Sequence, residues 1–373
     1  SLGAIISTGG SLDTSSVSLS ALKENLNDSL SLYTSVLLNP RFDQAEIDRV
    51  RASWIAQIKQ EKAVPTGIGG RTLRKQVYGS GHPYAVPSSG LGEESSIATL
   101  TRADMQAWHT QFIRPDNATI MVVGDTTLEE MLPKLEAAFG GWKAPATAKP
   151  SGMVPVVALP KQNRVILIDQ PGAVQANILI GQLVPSSMNE NATEFEIANA
   201  VLGGEFSSRL NMNLRENKHW AYGSYSGVGG AIGQRLWTAQ AAVQIDKTTE
   251  SLQELSREID TYSKGTAPAT TLELDKIKAT EIRSLPGSYE TAGAVLGSIA
   301  SNVRYNRPDD YQKQRANLIS NLNLEKVNAA AKTIQPNNLT IVVVGDFAKI
   351  KDKVIALNLG PVTLLDKDGN PVK

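Results

Sequence analysis

The sequence predicts an α+β fold made of two tandem copies of one unit. Three observations predict it: a strand-forming segment that occurs twice, helices of matching charge pattern in both halves, and a Pro-rich stretch between them. Residues 112–125 read FIRPDNATIMVVGD and residues 333–346 read TIQPNNLTIVVVGD, identical at nine of fourteen positions. In each, a Pro-Asn turn feeds an apolar run that Gly-Asp ends, the pattern of a turn, a buried strand and a stop.

Taken in order, the first copy opens on a hairpin with Gly9-Gly10 at its turn. A helix is expected from Phe42 to about Lys62, closed by Pro65, whose ring cannot continue it. Within it, AEIDRVRA at 45–52 matches LELDKIKA at 272–279. Both carry apolar residues at helical spacing and alternating charge on the other face, which signals an amphipathic helix. Leu100 followed by a helix over 102–111 matches Leu322 and the helix behind it. Residues 143–163 carry Pro145, Pro150, Pro155 and Pro160 among Ala, Thr and Lys, a composition that makes a stiff, extended linker rather than a packed element. The domains are therefore 1–142, a linker at 143–163, and 164–373.

The second copy begins with a strand at 164–170 and another near 177–183. A helix near 193–202, the segment 206–215, and a hairpin from Tyr222 through the 227–233 turn to Val243 follow. By comparison, the first copy lacks its opening two strands and helix, about 55–60 residues.

Composition removes several functions. Lys plus Arg and Asp plus Glu each number 37, so the net charge is zero and no bulk field draws nucleic acid or an anionic membrane. No Lys/Arg run builds a local patch. The absence of Cys removes disulfides, thiolate catalysis and Cys-ligated metals together. No apolar stretch reaches the ~18–20 residues of a membrane-crossing helix. Only His82, His109 and His219 are present, and no two have the i, i+4 spacing of a helical metal site. His82 reads as a turn residue, His109 as a helix-face residue and His219 as surface near Trp220. The Gly-rich segment 227–233 has Ile232 at the third Gly position of a dinucleotide loop and joins strands, so it does not read as a phosphate site.

Two such units with a Pro-rich joint resemble the pitrilysin/insulinase-like zinc metallopeptidases, in particular the two-domain bacterial and mitochondrial-processing type. The resemblance rests on Asn39-Pro40-Arg41-Phe42, His82-Pro83-Tyr84, Phe139-Gly140-Gly141-Trp142, the repeated Val-Val-Gly-Asp, and Gly203-Gly204-Glu205-Phe206-Ser207-Ser208-Arg209-Leu210 with the following Leu214-Arg215-Glu216 and Ala221-Tyr222. It implies a mostly antiparallel sheet packed by helices in each copy. Active members carry H-x-x-E-H on the first helix of the first copy, two His binding zinc and the Glu acting as general base, with a Glu from a later helix as third ligand. This sequence contains no H-x-x-E-H, and the first copy lacks the stretch that would hold it.

The third-ligand helix is present. Laid against the family pattern, its ligand position falls on Gln57 and the acidic position seven residues earlier on Val50. A neutral amide brings no charge to offset Zn²⁺. Glu61 lies one turn further on, out of register. The resemblance further implies that Arg215 and Tyr222 face the zinc across the substrate cleft, holding the substrate backbone and the developing oxyanion. Such donors act without ionising. Lys218-His219-Trp220 departs from the family's small-then-aliphatic pair before this Tyr, and the segment around Gly203-Gly204 is short compared with the long glycine-rich loop of the non-catalytic mitochondrial subunit.

The expectation is a non-catalytic subunit of a heterodimeric zinc metallopeptidase. Arg215 and Tyr222 are its catalytic contributions, no metal or cofactor sits in this chain, and zinc sits in an H-x-x-E-H-bearing partner acting on peptides. The alternatives are a fragment of an active zinc endopeptidase whose H-x-x-E-H segment is missing, or a non-enzymatic scaffold homologue. By resemblance the compartment is periplasmic or otherwise exported.

Overall fold

The computed structural model describes residues 2–372. In chain order the strands are β1 (Ile5–Gly10), β2 (Ser15–Ser20), β3 (Arg164–Asp169), β4 (Gln175–Val184), β5 (Ala221–Val228), β6 (Arg235–Gln244), β7 (Thr340–Gly345) and β8 (Val362–Leu365). The helices of the first repeat are α1 (Leu26–Leu38), α2 (Gln44–Glu61), α3 (Pro65–Tyr78), α4 (Glu94–Thr99), α5 (Arg102–Phe112) and α6 (Leu128–Phe139). Those of the second are α7 (Ala192–Asn199), α8 (Arg209–Asn211), α9 (Thr248–Lys264), α10 (Thr271–Ser284), α11 (Ala292–Arg304), α12 (Tyr311–Ser320), α13 (Leu324–Ala331) and α14 (Phe347–Ala356). No helix among them is long and apolar enough to cross a membrane.

The chain forms two compact units that do not follow the linear halves. One holds residues 1–58, 90–153 and 288–301; the other holds 59–89, 154–287 and 302–373. α3 follows α2 as α11 follows α10, and each belongs to the unit built mainly from the other repeat. The two repeats thus exchange a helix.

The larger unit is organised by a six-stranded sheet in the order β5-β6-β4-β7-β3-β8. β5/β6, β6/β4 and β4/β7 are antiparallel, while β3 runs parallel to both β7 and β8. Strand residues alternate between faces. Val165 and Leu167 join one apolar cluster with Trp237, Leu255 and Ile341; Ile166 and Ile168 join another with Ile68, Leu73 and Val77 of α3. Covering both faces explains why β3 and β7 read as unbroken apolar runs. α3 lies close to the sheet because Gly69 has no Cβ: one there would come within 2.4 Å of Leu179 Cδ1. Pro65, expected to close α2, also opens α3, where its fixed φ suits the first helical turn. The 143–163 segment forms no helix or strand. It is nevertheless packed from Val154 onward, contrary to the linker expectation: Val154, Val157 and Leu159 lie against the α3-side cluster, and Val157 exchanges two hydrogen bonds with the Gln234 side chain.

The smaller unit departs further from the sequence reading. Gly9 and Gly10 are paired inside β1–β2; the turn is Ser11–Thr14, closed by Ser11 N donating to Thr14 O at 2.8 Å. More telling, residues 118–124 form no strand although they repeat the sequence of β7. Ile120 and Val122 are 44% exposed. β7 is stable because β3 and β4 flank it. In the smaller unit only the two-stranded β1–β2 sheet exists among the described residues, and neither apolar cluster draws on this unit. A strand without neighbours leaves its backbone to water, and propensity does not compensate. The helices matched between repeats do form, and the structure caps both of those that follow Leu100 and Leu322: Thr101 accepts from Asp104 N before α5, and Asn323 from Lys326 N before α13.

Candidate functional site

The motif from Gly203 to Tyr222 folds as two helical segments separated by a non-helical stretch at 205–208, the first ending in a π turn at Ala200–Gly204 and the second running into one at Met212–Asn217, followed by the edge strand β5. π turns widen a helix locally and recur at functional sites. Here close packing accounts for the first. A Cβ on Gly203 would lie 2.4 Å from the backbone N of Ser226 in β5. Beside it, Asn199 Oδ1 accepts from Ser226 Oγ and Trp237 Nε1, both at 2.7 Å, while Asn199 Nδ2 donates to Ser226 O. Asn211, fully buried, donates to Phe206 O at 2.6 Å and accepts from Ser224 N at 3.2 Å.

Arg209, inside the same motif, has a structural part. Its guanidinium forms two hydrogen bonds to the Glu273 carboxylate, at 2.6 and 2.7 Å, binds the carbonyls of Ala267 and Pro268, and lies over the Tyr262 ring. Burial pushes the Tyr262 phenol well above its ordinary range; the phenol donates to Ala198 O. A concavity of about 450 Å³ beside the second π turn is lined by Arg209, Met212, Asn213, Asn217, Lys218, Arg257 and Glu258. Its charges satisfy one another, Arg257 pairing with Glu254 and Glu258, and Lys218 with Glu254.

Arg215 sits in the second π turn and is half-exposed. Its guanidinium carbon lies 4.7 Å from the centroid of the Phe206 ring, and its Nε is 3.3 Å from Glu216. Tyr222 lies in β5 at a register shift between Ala221 and Ser224, and is 87% exposed. A bulge of this kind re-aims side chains at a sheet edge. The turn between them is anchored by backbone: Trp220 N donates to Leu214 O, His219 N to Arg215 O, and Gln244 N to Trp220 O. His219 takes a left-handed φ of 57°, and Trp220 packs against the main cluster with Lys218 Nζ over its ring. The Lys-His-Trp departure from the family pattern is accommodated as a fixed turn.

His82 accepts from Tyr84 N and contacts Pro155 O; His109 contacts Leu37 O. Gln57 turns back on its own helix, Nε2 donating to Ser53 Oγ at 3.2 Å. Glu61 accepts from Arg71 Nη1 at 2.8 Å. These residues do not fit zinc: the amide is spent on α2 and brings no charge, and the Glu61 carboxylate one turn on already has a cation. Among the described residues no group of three His, Asp or Glu side chains is placed to hold a metal.

Phe206 lies inside the Gly203–Leu210 motif and Asn211 directly follows it, but no spacing rule assigns either a part. Only the folded π turns bring Phe206 under Arg215 and Asn211 against β5.

This is the scaffold of a metallopeptidase-like protein. Comparison points to a family: residues 99–281 match the model described as the peptidase M16 inactive domain. It is 24% identical over 316 residues to the uncharacterized zinc protease YmxG of Bacillus subtilis, covering 84% of this chain and 74% of that protein. It is 22% identical over 341 residues to the non-peptidase homolog YmxG of Helicobacter pylori, covering 90% and 76%. Among solved structures, a peptidase M16 inactive domain from Pseudomonas fluorescens superposes with a TM-score of 0.84 at 24% identity, covering 92% of this chain and 81% of that one. A protease from Helicobacter pylori superposes with a TM-score of 0.83 at 20% identity, covering 92% and 82%. The α+β fold expected from the sequence is therefore the M16 fold.

Proposed function

We propose that this chain is the non-catalytic subunit of a two-chain zinc peptidase. It closes the peptide cleft and lends Arg215 and Tyr222 to a metal held by an H-x-x-E-H-bearing partner of the same family. The observation that carries the reading is the state of α2. Where an active member would present a ligand carboxylate, Gln57 is bonded to Ser53, and Glu61 is neutralised by Arg71. Arg215 is paired with Glu216 at Nε, and its terminal nitrogens and the Tyr222 hydroxyl have no hydrogen-bond acceptor among the described residues, as groups awaiting substrate would. β5 is an edge strand, so an extended peptide can pair with its free backbone and be bound with loose sequence preference. Peptide carbonyls then meet a guanidinium and a phenol, donors that stabilise charge on oxygen without titrating.

The relatives carry both descriptions, zinc protease and non-peptidase homolog, at nearly equal identity. The separating experiment is metal and activity analysis of this chain alone and mixed with an H-x-x-E-H family subunit. The chain alone is expected to hold no zinc after dialysis and to cut no peptide, while the mixture cuts and Arg215→Ala lowers its turnover. One tightly held zinc per chain would instead support the endopeptidase-fragment reading.

A further inference from the structure

We infer that Phe206 is the positioning residue for the Arg215 guanidinium, a reading that rests on the proposed part of Arg215 in substrate binding. Arg215 projects from a π turn on a long, rotamer-rich side chain, and an unsupported guanidinium in water samples many orientations. Two contacts restrain it. Glu216 lies 3.3 Å from Nε, and the Phe206 ring lies beneath the guanidinium carbon at 4.7 Å, inside the range of cation–π attraction. Neither takes the terminal nitrogens, which have no acceptor among the described residues. The stack therefore fixes the plane of the group while leaving its outward donors for a peptide carbonyl.

The platform is itself fixed. Phe206 is 55% exposed, an unusual place for a large apolar ring that packs into neither cluster, yet its carbonyl is gripped by the buried Asn211. The other end of the Asn211 carboxamide takes Ser224 N in β5, two residues beyond Tyr222. One buried side chain thus ties the ring under Arg215 to the strand that carries the phenol. Gly203-Gly204-Glu205 lets the chain reach this point, since Gly203 passes β5 too closely for any side chain.

The test uses the full chain with ¹⁵N-labelled arginine and a fluorescein-labelled, unstructured 20-residue peptide as probe. Arg215→Lys identifies the Arg215 Nε–Hε resonance. In the wild type that resonance is expected to be shifted by the ring and to show restricted motion. Phe206→Leu should abolish both signs and weaken peptide binding about 2–5-fold, the range of an exposed cation–π contact; Phe206→Trp, which keeps a π face, should restore them. An Arg215 resonance unchanged by Phe206→Leu overturns the proposal, as does unchanged peptide affinity in that variant when Arg215→Ala weakens binding. Peptide affinity unchanged in Arg215→Ala itself overturns the assignment of Arg215 beneath it.

Discussion

The Glu61 carboxylate is bound by the Arg71 guanidinium at 2.8 Å, one helical turn beyond Gln57. Both partners are largely buried, so the pair is structural: the carboxylate nearest the expected third-ligand position serves to join α2 to α3. Glu61→Gln leaves Arg71 with a neutral neighbour and should cost about 1–2 kcal/mol, between exposed and fully buried pairs. Denaturant unfolding checks this, and zinc retained after dialysis should be the same in variant and wild type. Loss of a bound zinc in Glu61→Gln would show that the carboxylate is a ligand.

The Asn199 carboxamide bonds Ser226 and Trp237 inside the core. Asn199→Leu strands the Trp237 Nε1–H and the Ser226 hydroxyl without water to replace the partner, and should cost about 2–4 kcal/mol. Ser226→Ala leaves Asn199 still paired with Trp237 and should cost about 1 kcal/mol. Equal melting temperatures for the two variants would contradict the shared network.

Gly203 and Gly204 are adjacent but not equivalent. Gly203→Ala drives a Cβ into the Ser226 backbone at 2.4 Å, which only a strand shift relieves, and should cost about 2–3 kcal/mol. Gly204→Ala meets neighbours no closer than 3.3 Å and should be tolerated much better. The comparison is read from paired unfolding curves.

Glu254 confers acid sensitivity. Burial would raise its pKa, but hydrogen bonds from Arg257, Asn213 and Lys218 outweigh burial and hold it at about 2, down from 4.5. A carboxylate depressed in the folded state contributes stability that is present above the unfolded value and lost as pH falls through the folded one. The contribution is therefore whole above pH 4.5 and declines toward pH 2. Between pH 5 and pH 3 the wild type should lose more stability than Glu254→Gln; parallel loss in both would refute the assignment.

The sequence alone determined the repeat, and with it the helices. Residues 45–52 and 272–279 fold alike because amphipathic spacing and charge act within one helix, and the caps at Thr101 and Asn323 act within one turn. It also marked Arg215 and Tyr222, through the motif around them. Tertiary structure decided the rest. The same Thr-Ile-x-Val-Val-Gly-Asp letters make a central strand at 340–345 and none at 118–124, since a strand is stabilised by the strands beside it and those lie elsewhere in the chain. The exchange of α3 and α11 between units, the pairing of Glu61 with Arg71, and the ring of Phe206 under Arg215 have the same origin: each depends on which surface a residue meets after folding, and no local pattern records that.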